Sequence, residues 1–122
     1  MIIGIGTDII EIERVRRAVE REHFKRRTFT ETEINYCESR GKNSAASYAA
    51  RFAAKEAFFK ALGTGIVTSL TEIEVRNDSY GKPEIFLFDA TKNLAQEKCV
   101  NEIFLSLSHS REYATAVVVL AG

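Results

Sequence analysis

The sequence predicts a single α+β domain, residues 1–122, in which a mostly antiparallel sheet packs around a long central helix. Three observations support this prediction. Short segments of alternating apolar residues lie at both ends of the chain, a long segment near the middle is apolar on nearly every side, and turn residues separate the segments. A chain of 122 residues has room for one domain with its own core, and 45% apolar with 28% charged residues is typical of a globular protein.

The first two elements are a strand and an amphipathic helix. The strand is predicted over Ile2 to Thr7, where apolar residues alternate with small ones. Gly4 and Gly6 within it indicate that another stretch of backbone lies close by. The helix is predicted from about Ile10 to Arg21, because apolar residues recur there at helical spacing. Its apolar face consists of Ile12, Val15 and Val19.

Two further helices are predicted before the middle of the chain. Thr30 and Glu33 form a capping box, which predicts a helix over residues 30–39. Ser44 can cap a third helix that runs to residue 62, and Gly63 has the position of a helix-terminating glycine. Because apolar residues surround this third helix, we expect it to be the buried central one.

The second half of the chain predicts four strands and one short helix. Ile73 and Val75 alternate with charged residues, which is the pattern of a half-buried strand. Turn residues at positions 77–82 come before Pro83, which opens the next strand. Asp89 can cap the short helix. The predicted bounds are residues 84–88, 103–108 and 114–120 for the later strands, and Ala90 to about Cys99 for the helix.

Charge and cysteine content exclude several classes of protein. Lys plus Arg equals Asp plus Glu, 17 of each, so the overall charge indicates neither nucleic acid nor a membrane surface as a partner. A run of about 18 apolar residues is absent, which argues against a membrane span, and the N-terminal segment reaches an acid at Asp8, unlike a signal peptide. Cys37 and Cys99 have neither zinc-site spacing nor the density of a secreted scaffold. We therefore expect reduced thiols in a cytoplasmic protein.

Three charged residues are candidates for a site. Asp8 ends the first predicted strand and precedes a helix, where a carboxylate ordinarily serves as an N-cap. Glu56 and Lys60 lie four residues apart on the long helix and share a face. An exposed ion pair is one interpretation of these two. The other is a metal or phosphate site, because a charged pair on a largely buried helix needs a compensating group. The residues alone leave both interpretations open.

Two glycine- or serine-containing segments are less specific. Gly63-Thr64-Gly65 has the pattern of a helix stop with a flexible turn, although glycines can also let a phosphate approach backbone N–H groups. His109 ends a predicted strand among serines, where local hydrogen bonds alone could satisfy it. Ser108 adjoins His109, but adjacency in sequence does not place a hydroxyl against an imidazole. Because a Gly-x-Ser-x-Gly motif is also absent, we reject a hydrolase.

A basic surface is predicted on the first helix. Arg14, Arg17 and Arg21 lie within about 60° of one another on a helical wheel, well away from the apolar face. Such a charged surface is either simply solvated or a docking surface for an acidic partner.

Three segments of the chain resemble the 4′-phosphopantetheinyl transferases, and within them the short bacterial holo-acyl-carrier-protein synthase type. The resemblance covers nearly the whole chain and includes Gly81-Lys82-Pro83. The middle segment is the specific one, and the outer two agree with it. The segments are Gly6-Thr7-Asp8-Ile9, the run RFAAKEAFFKALGTG at residues 51–65, and Leu105-Ser106-Leu107-Ser108-His109-Ser110.

The resemblance implies an Mg²⁺-dependent enzyme that transfers the 4′-phosphopantetheine group of coenzyme A to a serine of apo-acyl carrier protein. The reaction releases 3′,5′-ADP and supports fatty acid biosynthesis. Asp8, Glu56 and Lys60 are the implied catalytic residues; the two acids bind Mg²⁺, and Glu56 is the candidate acceptor of the serine proton. The residues implied to surround coenzyme A are Arg51, Lys55, Lys60, Gly63, His109 and Ser110, with His109 near the 3′-phosphate.

The resemblance also implies partners and assembly. Short members of the family form homotrimers with sites between subunits, and the surface of Arg14, Arg17 and Arg21 would meet the acidic acyl carrier protein. Two other functions remain open at this point. The chain could bind an acidic protein without catalysis, or it could hold coenzyme A as a regulator without turnover.

Overall fold

The chain, which a computed structural model describes over residues 1–122, contains five strands and five α-helices. A short 3-10 turn at Gly41–Asn43 lies between the third and fourth helices, and another at Leu70–Glu72 precedes the second strand. The elements in chain order are β1 Ile2–Glu11, α1 Ile12–Ala18, α2 Glu22–Thr28, α3 Glu31–Glu38, α4 Ser44–Leu62, β2 Ile73–Asn77, β3 Pro83–Leu87, α5 Asp89–Glu97, β4 Glu102–His109 and β5 Tyr113–Ala121.

The strands form two antiparallel sheets. A three-stranded sheet has the order β1-β5-β4, and β2 and β3 form a separate hairpin. The register places Asp8 of β1 opposite Ala116 of β5, and His109 of β4 opposite Ala114 of β5. The α+β class with an antiparallel sheet around a long helix is therefore confirmed.

Helix α4 packs directly on β1 because two glycines leave no side chain between them. A β-carbon added at Gly4 would overlap the carbonyl oxygen of Ala61, and one added at Gly6 would overlap that of Ala57. Alanines on the facing side of α4 keep the separation small, and the phenylalanines of α4 fill the adjoining core. The close approach predicted from the two glycines is present, and it brings the middle of β1 beside the C-terminal half of α4.

The helix ends that depend on local sequence agree with the predictions. Thr30 accepts a hydrogen bond from the backbone N–H of Glu33, and the Glu33 carboxylate accepts one from the N–H of Thr30, so the capping box is complete. Helix α4 has the predicted bounds and ends at Gly63 in the left-handed conformation, with φ of 80°. The residue before α4 is Asn43, so Ser44 is its first helical residue rather than its cap.

Three predictions in the first and last thirds are wrong. Strand β1 continues past Thr7 to Glu11 because β5 pairs with it along its whole length. The helix predicted over residues 10–21 is shorter and is followed by α2, because the chain turns into an extended conformation at Arg21. Asp89 does not cap α5; Glu72 instead accepts a hydrogen bond from the N–H of Thr91 in its first turn. Separately, none of the helices is both long and apolar enough to cross a membrane.

Candidate active site

The close packing of β1 on α4 brings Asp8 and Lys60 together. The Lys60 Nζ donates a hydrogen bond to Asp8 Oδ1 at 3.1 Å. The Asp8 side chain is 15% exposed and that of Lys60 is 55% exposed, so the pair lies at the protein surface with its acid partly shielded. Asp8 lies within β1 and is neither at a strand end nor a helix cap, which corrects the sequence interpretation.

Glu56 belongs to the same cluster. It is half-buried on α4, and burial together with the neighbouring Asp8 carboxylate raises its pKa, while Lys60 acts in the opposite direction. Lys60 forms its ion pair with Asp8 rather than with Glu56, so the pair expected along the helix is replaced by one between helix and strand. Two carboxylates in electrostatic contact, with one ammonium group beside them, can accept a further cation.

The two carboxylates fit a hard divalent cation. No cluster of three or more His, Cys, Asp or Glu side chains is arranged to hold a metal ion. Mg²⁺ is commonly held by one or two carboxylates, with water and phosphate oxygens completing its octahedral shell. Asp8 and Glu56 would therefore supply the protein ligands, and a phosphate-containing substrate would supply others.

Arg51 lies in a second site, a cavity of about 250 Å³ that His109 also lines. Its side chain is nearly fully buried, at 3% exposure. One terminal nitrogen donates a hydrogen bond to Asn77 Oδ1, and the guanidinium lies 4.3 Å from the centroid of the Tyr36 ring. The Arg51 Nε is buried without a hydrogen-bond partner. An unpaired buried donor is unusual, and a cavity with such a donor suits an anion.

Several residues of this cavity were missed in the sequence. Tyr36 lies in the last turn of α3 and Ser47 in the first turn of α4, and Arg40 and Asn43 belong to the segment between these helices. Asn77 lies at the end of β2, 26 residues from Arg51. Arg40 and Asn43 stand in the break before the long helix and Asn77 in a turn-forming segment, so the sequence offered no signal that these residues meet.

The two sites lie on different sides of α4. Arg51 and Lys60 are nine residues apart, which at about 100° per residue places them on opposite faces of the helix and about 14 Å apart along its axis. They also line different cavities, since Lys60 borders one with Asp8, Thr115 and Val117. Residues expected around one substrate therefore form two separate clusters within one chain.

Lys55 is not available to a phosphate, which corrects the sequence expectation. It is fully buried, and its ammonium group donates to Glu33 Oε1 at 2.7 Å. The same nitrogen also contacts the carbonyl oxygens of Thr28, Leu70 and Ile73 at 2.7–2.9 Å. Burial lowers the pKa of Lys55, and the Glu33 carboxylate opposes that effect. Because the three ammonium protons already have protein acceptors, Lys55 has a structural role.

Gly63 and Ser110 are both exposed, each next to one of the clusters. Gly63 ends α4 three residues after Lys60, in a left-handed conformation that favours glycine. Ser110 follows His109 directly after β4, and its Oγ accepts a hydrogen bond from the backbone N–H of Tyr113 at 3.3 Å. Neither of the two is buried by other parts of the chain.

The three predicted arginines line one concave surface, which encloses a volume of about 460 Å³. Arg14 and Arg17 come from α1, whereas Arg21 lies in the turn before α2 rather than on the same helix. Phe24 and Phe52 also line it, so the surface combines apolar side chains with guanidinium groups. All three arginines are exposed, and neither Arg14 nor Arg21 forms an ion pair within the chain.

Comparison with known proteins places this architecture in a family. Residues 4–118 match the family described as the 4′-phosphopantetheinyl transferase superfamily. The chain is 45% identical to a holo-[acyl-carrier-protein] synthase of Fusobacterium nucleatum, with 98% of this chain and 99% of that protein aligned. It is 51% identical to one of Alkaliphilus metalliredigens, with 98% of each chain aligned.

Solved structures agree with the sequence comparison. The crystal structure of holo-[acyl-carrier-protein] synthase from Neisseria meningitidis is similar with a TM-score of 0.91, at 37% identity and full coverage of both chains. A holo-(acyl-carrier-protein) synthase from Bacillus anthracis, solved in complex with CoA (3′,5′-ADP), is similar with a TM-score of 0.82 at 42% identity, covering 98% of this chain and 96% of that one. The chain therefore belongs to the 4′-phosphopantetheinyl transferase superfamily.

Proposed function

We propose that this protein is a holo-[acyl-carrier-protein] synthase, which transfers the 4′-phosphopantetheine group of coenzyme A to a serine of apo-acyl carrier protein. The observation that carries the proposal is the convergence of Asp8 with Glu56 and Lys60 from two separate elements. Two acids and a lysine at one surface site can hold a cation and a diphosphate. A module that only binds an acidic protein would not need such a site. The product would serve fatty acid biosynthesis in the cytoplasm.

The reaction is a transfer at phosphorus. The serine hydroxyl of the carrier attacks the phosphorus that bears pantetheine, the bond from that phosphorus to the leaving phosphate oxygen breaks, and 3′,5′-ADP departs. Glu56 would accept the serine proton, because its carboxylate lies beside Asp8 and Lys60 at the proposed reaction centre. Lys60 offsets the charge that develops on the diphosphate as the bond breaks.

Asp8 and Glu56 would hold Mg²⁺ at this site. When bound, the ion neutralises negative charge on the diphosphate and on the leaving group. Burial is the main cause of the raised pKa of Glu56 and the Asp8 carboxylate adds to it, so the two acids are close enough to interact, as two ligands of one cation must be. The Lys60 ammonium, which is more than half exposed, would exchange its contact with Asp8 for one with a phosphate oxygen.

The cavity of Arg51 and His109 would hold the nucleotide end of coenzyme A. The Arg51 guanidinium lines this cavity with an Nε that has no partner in the chain and would supply a donor for the 3′-phosphate, and His109 borders the same space. Arg40 adds a second guanidinium to the cavity wall. Gly63 and Ser110 would contribute at the edges of the two clusters, and Lys55 would make no contact with coenzyme A because its protons are occupied.

The concave surface of Arg14, Arg17 and Arg21 would dock the acyl carrier protein. Guanidinium groups bind carboxylates through two parallel hydrogen bonds, and Phe24 and Phe52 of the same surface offer apolar contact. Arg14 and Arg21 have no acid of their own chain to satisfy them.

A homotrimer would join the two clusters into complete sites. The face of the three-stranded sheet that points away from α4 carries exposed apolar side chains, which indicates contact with another subunit. These residues are Ile3, Ile5, Ile9, Phe104 and Val117. Because Lys60 and Arg51 lie on opposite sides of α4, one subunit would supply the cluster of Asp8 and its neighbour the cavity of Arg51.

Mass spectrometry of an apo-acyl carrier protein tests the proposed activity. Incubation with the enzyme, coenzyme A and Mg²⁺ is expected to add roughly 340 Da to the carrier, the mass of one phosphopantetheine group. A carrier whose target serine is replaced by alanine is the control and should gain nothing. Binding of coenzyme A or of the carrier without any gain in mass would instead indicate one of the two non-catalytic functions.

A further inference from the structure

Tyr36 lies in the wall of the Arg51 cavity and has no part in the proposed reaction. Its ring is half-buried at the end of α3. The Arg51 guanidinium lies 4.3 Å from the ring centroid, and the Arg40 guanidinium lies 5.7 Å from the same centroid. Two cations therefore rest against one aromatic ring, within the range at which the electron-rich face of the ring attracts them.

Asn77 holds the same guanidinium from another direction. Its Oδ1 accepts a hydrogen bond from a terminal nitrogen of Arg51. The Asn77 Nδ2 in turn donates to the carbonyl oxygen of Gly81 at 3.0 Å, so the amide is fixed by the turn that follows β2. Gly81 and Pro83 from this turn line the same cavity.

These contacts leave the guanidinium with a fixed orientation and an unused donor. Contact with the ring restrains the guanidinium from one side, and the hydrogen bond to Asn77 restrains it from another. The buried Nε then has no acceptor within the protein. A long arginine side chain normally loses much conformational freedom when it binds an anion, and a side chain held in advance avoids most of that cost.

We propose that Tyr36 and Asn77 are positioning residues that orient Arg51 toward the 3′-phosphate of coenzyme A, and that they determine the preference for coenzyme A over 3′-dephospho-coenzyme A. This inference rests on the proposed function, which places the 3′-phosphate in this cavity. Neither residue touches the phosphorus that reacts. Both act through the orientation of the one buried guanidinium group.

Isothermal titration of the intact enzyme with coenzyme A and with dephospho-coenzyme A tests the inference, because the two probes differ only in the 3′-phosphate. Tyr36→Leu removes the ring face, and we expect it to weaken coenzyme A binding by about five- to tenfold. Binding of dephospho-coenzyme A should change less than about twofold. Tyr36→Phe keeps the ring and is the matched control, with wild-type affinity for both probes.

Steady-state kinetics give a second readout. In Tyr36→Leu the KM for coenzyme A should rise with kcat unchanged, because the guanidinium is remote from the reacting phosphorus. Asn77→Ala is expected to behave in the same way. If circular dichroism shows that Tyr36→Leu does not fold, Asn77→Ala alone tests whether the orientation of Arg51 determines the preference for coenzyme A. Equal weakening of both probes, or an unchanged preference for coenzyme A, would overturn the inference.

Failure of the inference is distinguishable from failure of the proposed function. If wild-type enzyme adds phosphopantetheine to the carrier and prefers coenzyme A, yet the Tyr36 and Asn77 variants keep that preference, only the positioning role is wrong. If wild-type enzyme adds no mass to the carrier, the proposed function itself is wrong.

Discussion

Lys55 and Lys60 are five residues apart on one helix, yet their surroundings assign them different roles. Lys55 is fully buried and paired with Glu33, whereas Lys60 is more than half exposed and paired with the partly shielded Asp8. Removing one partner of a buried ion pair leaves an uncompensated charge in the core, while exposed pairs contribute little to stability. We therefore expect Lys55 to serve folding and Lys60 to serve the proposed reaction.

We predict that Lys55→Ala lowers the free energy of unfolding by about 3–5 kcal/mol, because the buried Glu33 carboxylate loses its partner. Lys60→Ala should lower it by less than about 1 kcal/mol. Turnover per folded molecule should fall by about 100-fold in Lys60→Ala, where transition-state charge loses its counter-ion. Urea unfolding and assays on the folded fraction measure both quantities. A stable Lys55→Ala variant with lost turnover would reverse these roles.

The carboxylates of Asp8 and Glu56 are expected to govern metal dependence. Asp8→Asn and Glu56→Gln should each reduce turnover by about 100-fold or more, because each removes one charged oxygen ligand of Mg²⁺. Mg²⁺ binding in the presence of coenzyme A, followed by calorimetry, should weaken in parallel. Glu84→Gln changes an exposed acid of β3 and is the control. Undiminished turnover of either site variant in excess chelator would contradict the metal assignment.

At the scale of elements, the packing of β1 on α4 depends on the absence of a side chain at Gly6. A β-carbon there would overlap the backbone oxygen of Ala57, and backbone cannot move aside cheaply. We predict that Gly6→Ala destabilises the fold by about 3 kcal/mol. Gly41→Ala is the matched control; it has a positive φ of 57° but open space around it, so its cost should be about 1 kcal/mol. Equal decreases in melting temperature in the two variants would show that the close contact between β1 and α4 does not determine the cost of Gly6→Ala.

The surface formed by α1 and the start of α2 is expected to select the carrier. Arg14→Glu combined with Arg21→Glu should raise the KM for acyl carrier protein by about tenfold or more, because the new carboxylates repel the acidic carrier that the arginines attract. Affinity for coenzyme A should stay nearly unchanged, and wild-type affinity for carrier should fall as salt rises. Arg16→Glu is the control, since Arg16 is already paired with Glu13 and Glu20 on α1. Normal carrier binding by the double variant would show that this surface does not dock the carrier.

At the scale of the whole molecule, the separation of the two clusters predicts complementation between subunits. Lys60→Ala is expected to be nearly inactive, and Arg51→Ala nearly inactive at coenzyme A concentrations far below its raised KM, so the mixing experiment is run at such a concentration. If each site takes Lys60 from one subunit and Arg51 from the next, subunit exchange in an equal mixture should restore about a quarter of wild-type activity. Two inactive variants that stay inactive after exchange, verified by native mass spectrometry, would indicate that each chain holds its own complete site.

The sequence alone determined the features that depend on neighbouring residues. The capping box of Thr30 and Glu33 and the end of α4 at Gly63 are closed by contacts within one helical turn, so the local pattern contains all the necessary information. The charged residues of the middle segment and the family resemblance were visible in the same way. The α+β class followed from the order and spacing of these elements.

Only the tertiary structure decided which charged residues meet. Asp8 lies 52 residues from Lys60, and Arg51 lies 26 residues from Asn77, so neither contact has a local signature. Lys55 carries the same charge as Lys60 within one motif, but its acceptors come from segments 15–27 residues away. The environment of a side chain is set by long-range packing, which closes over one lysine of α4 and leaves the other exposed at the surface.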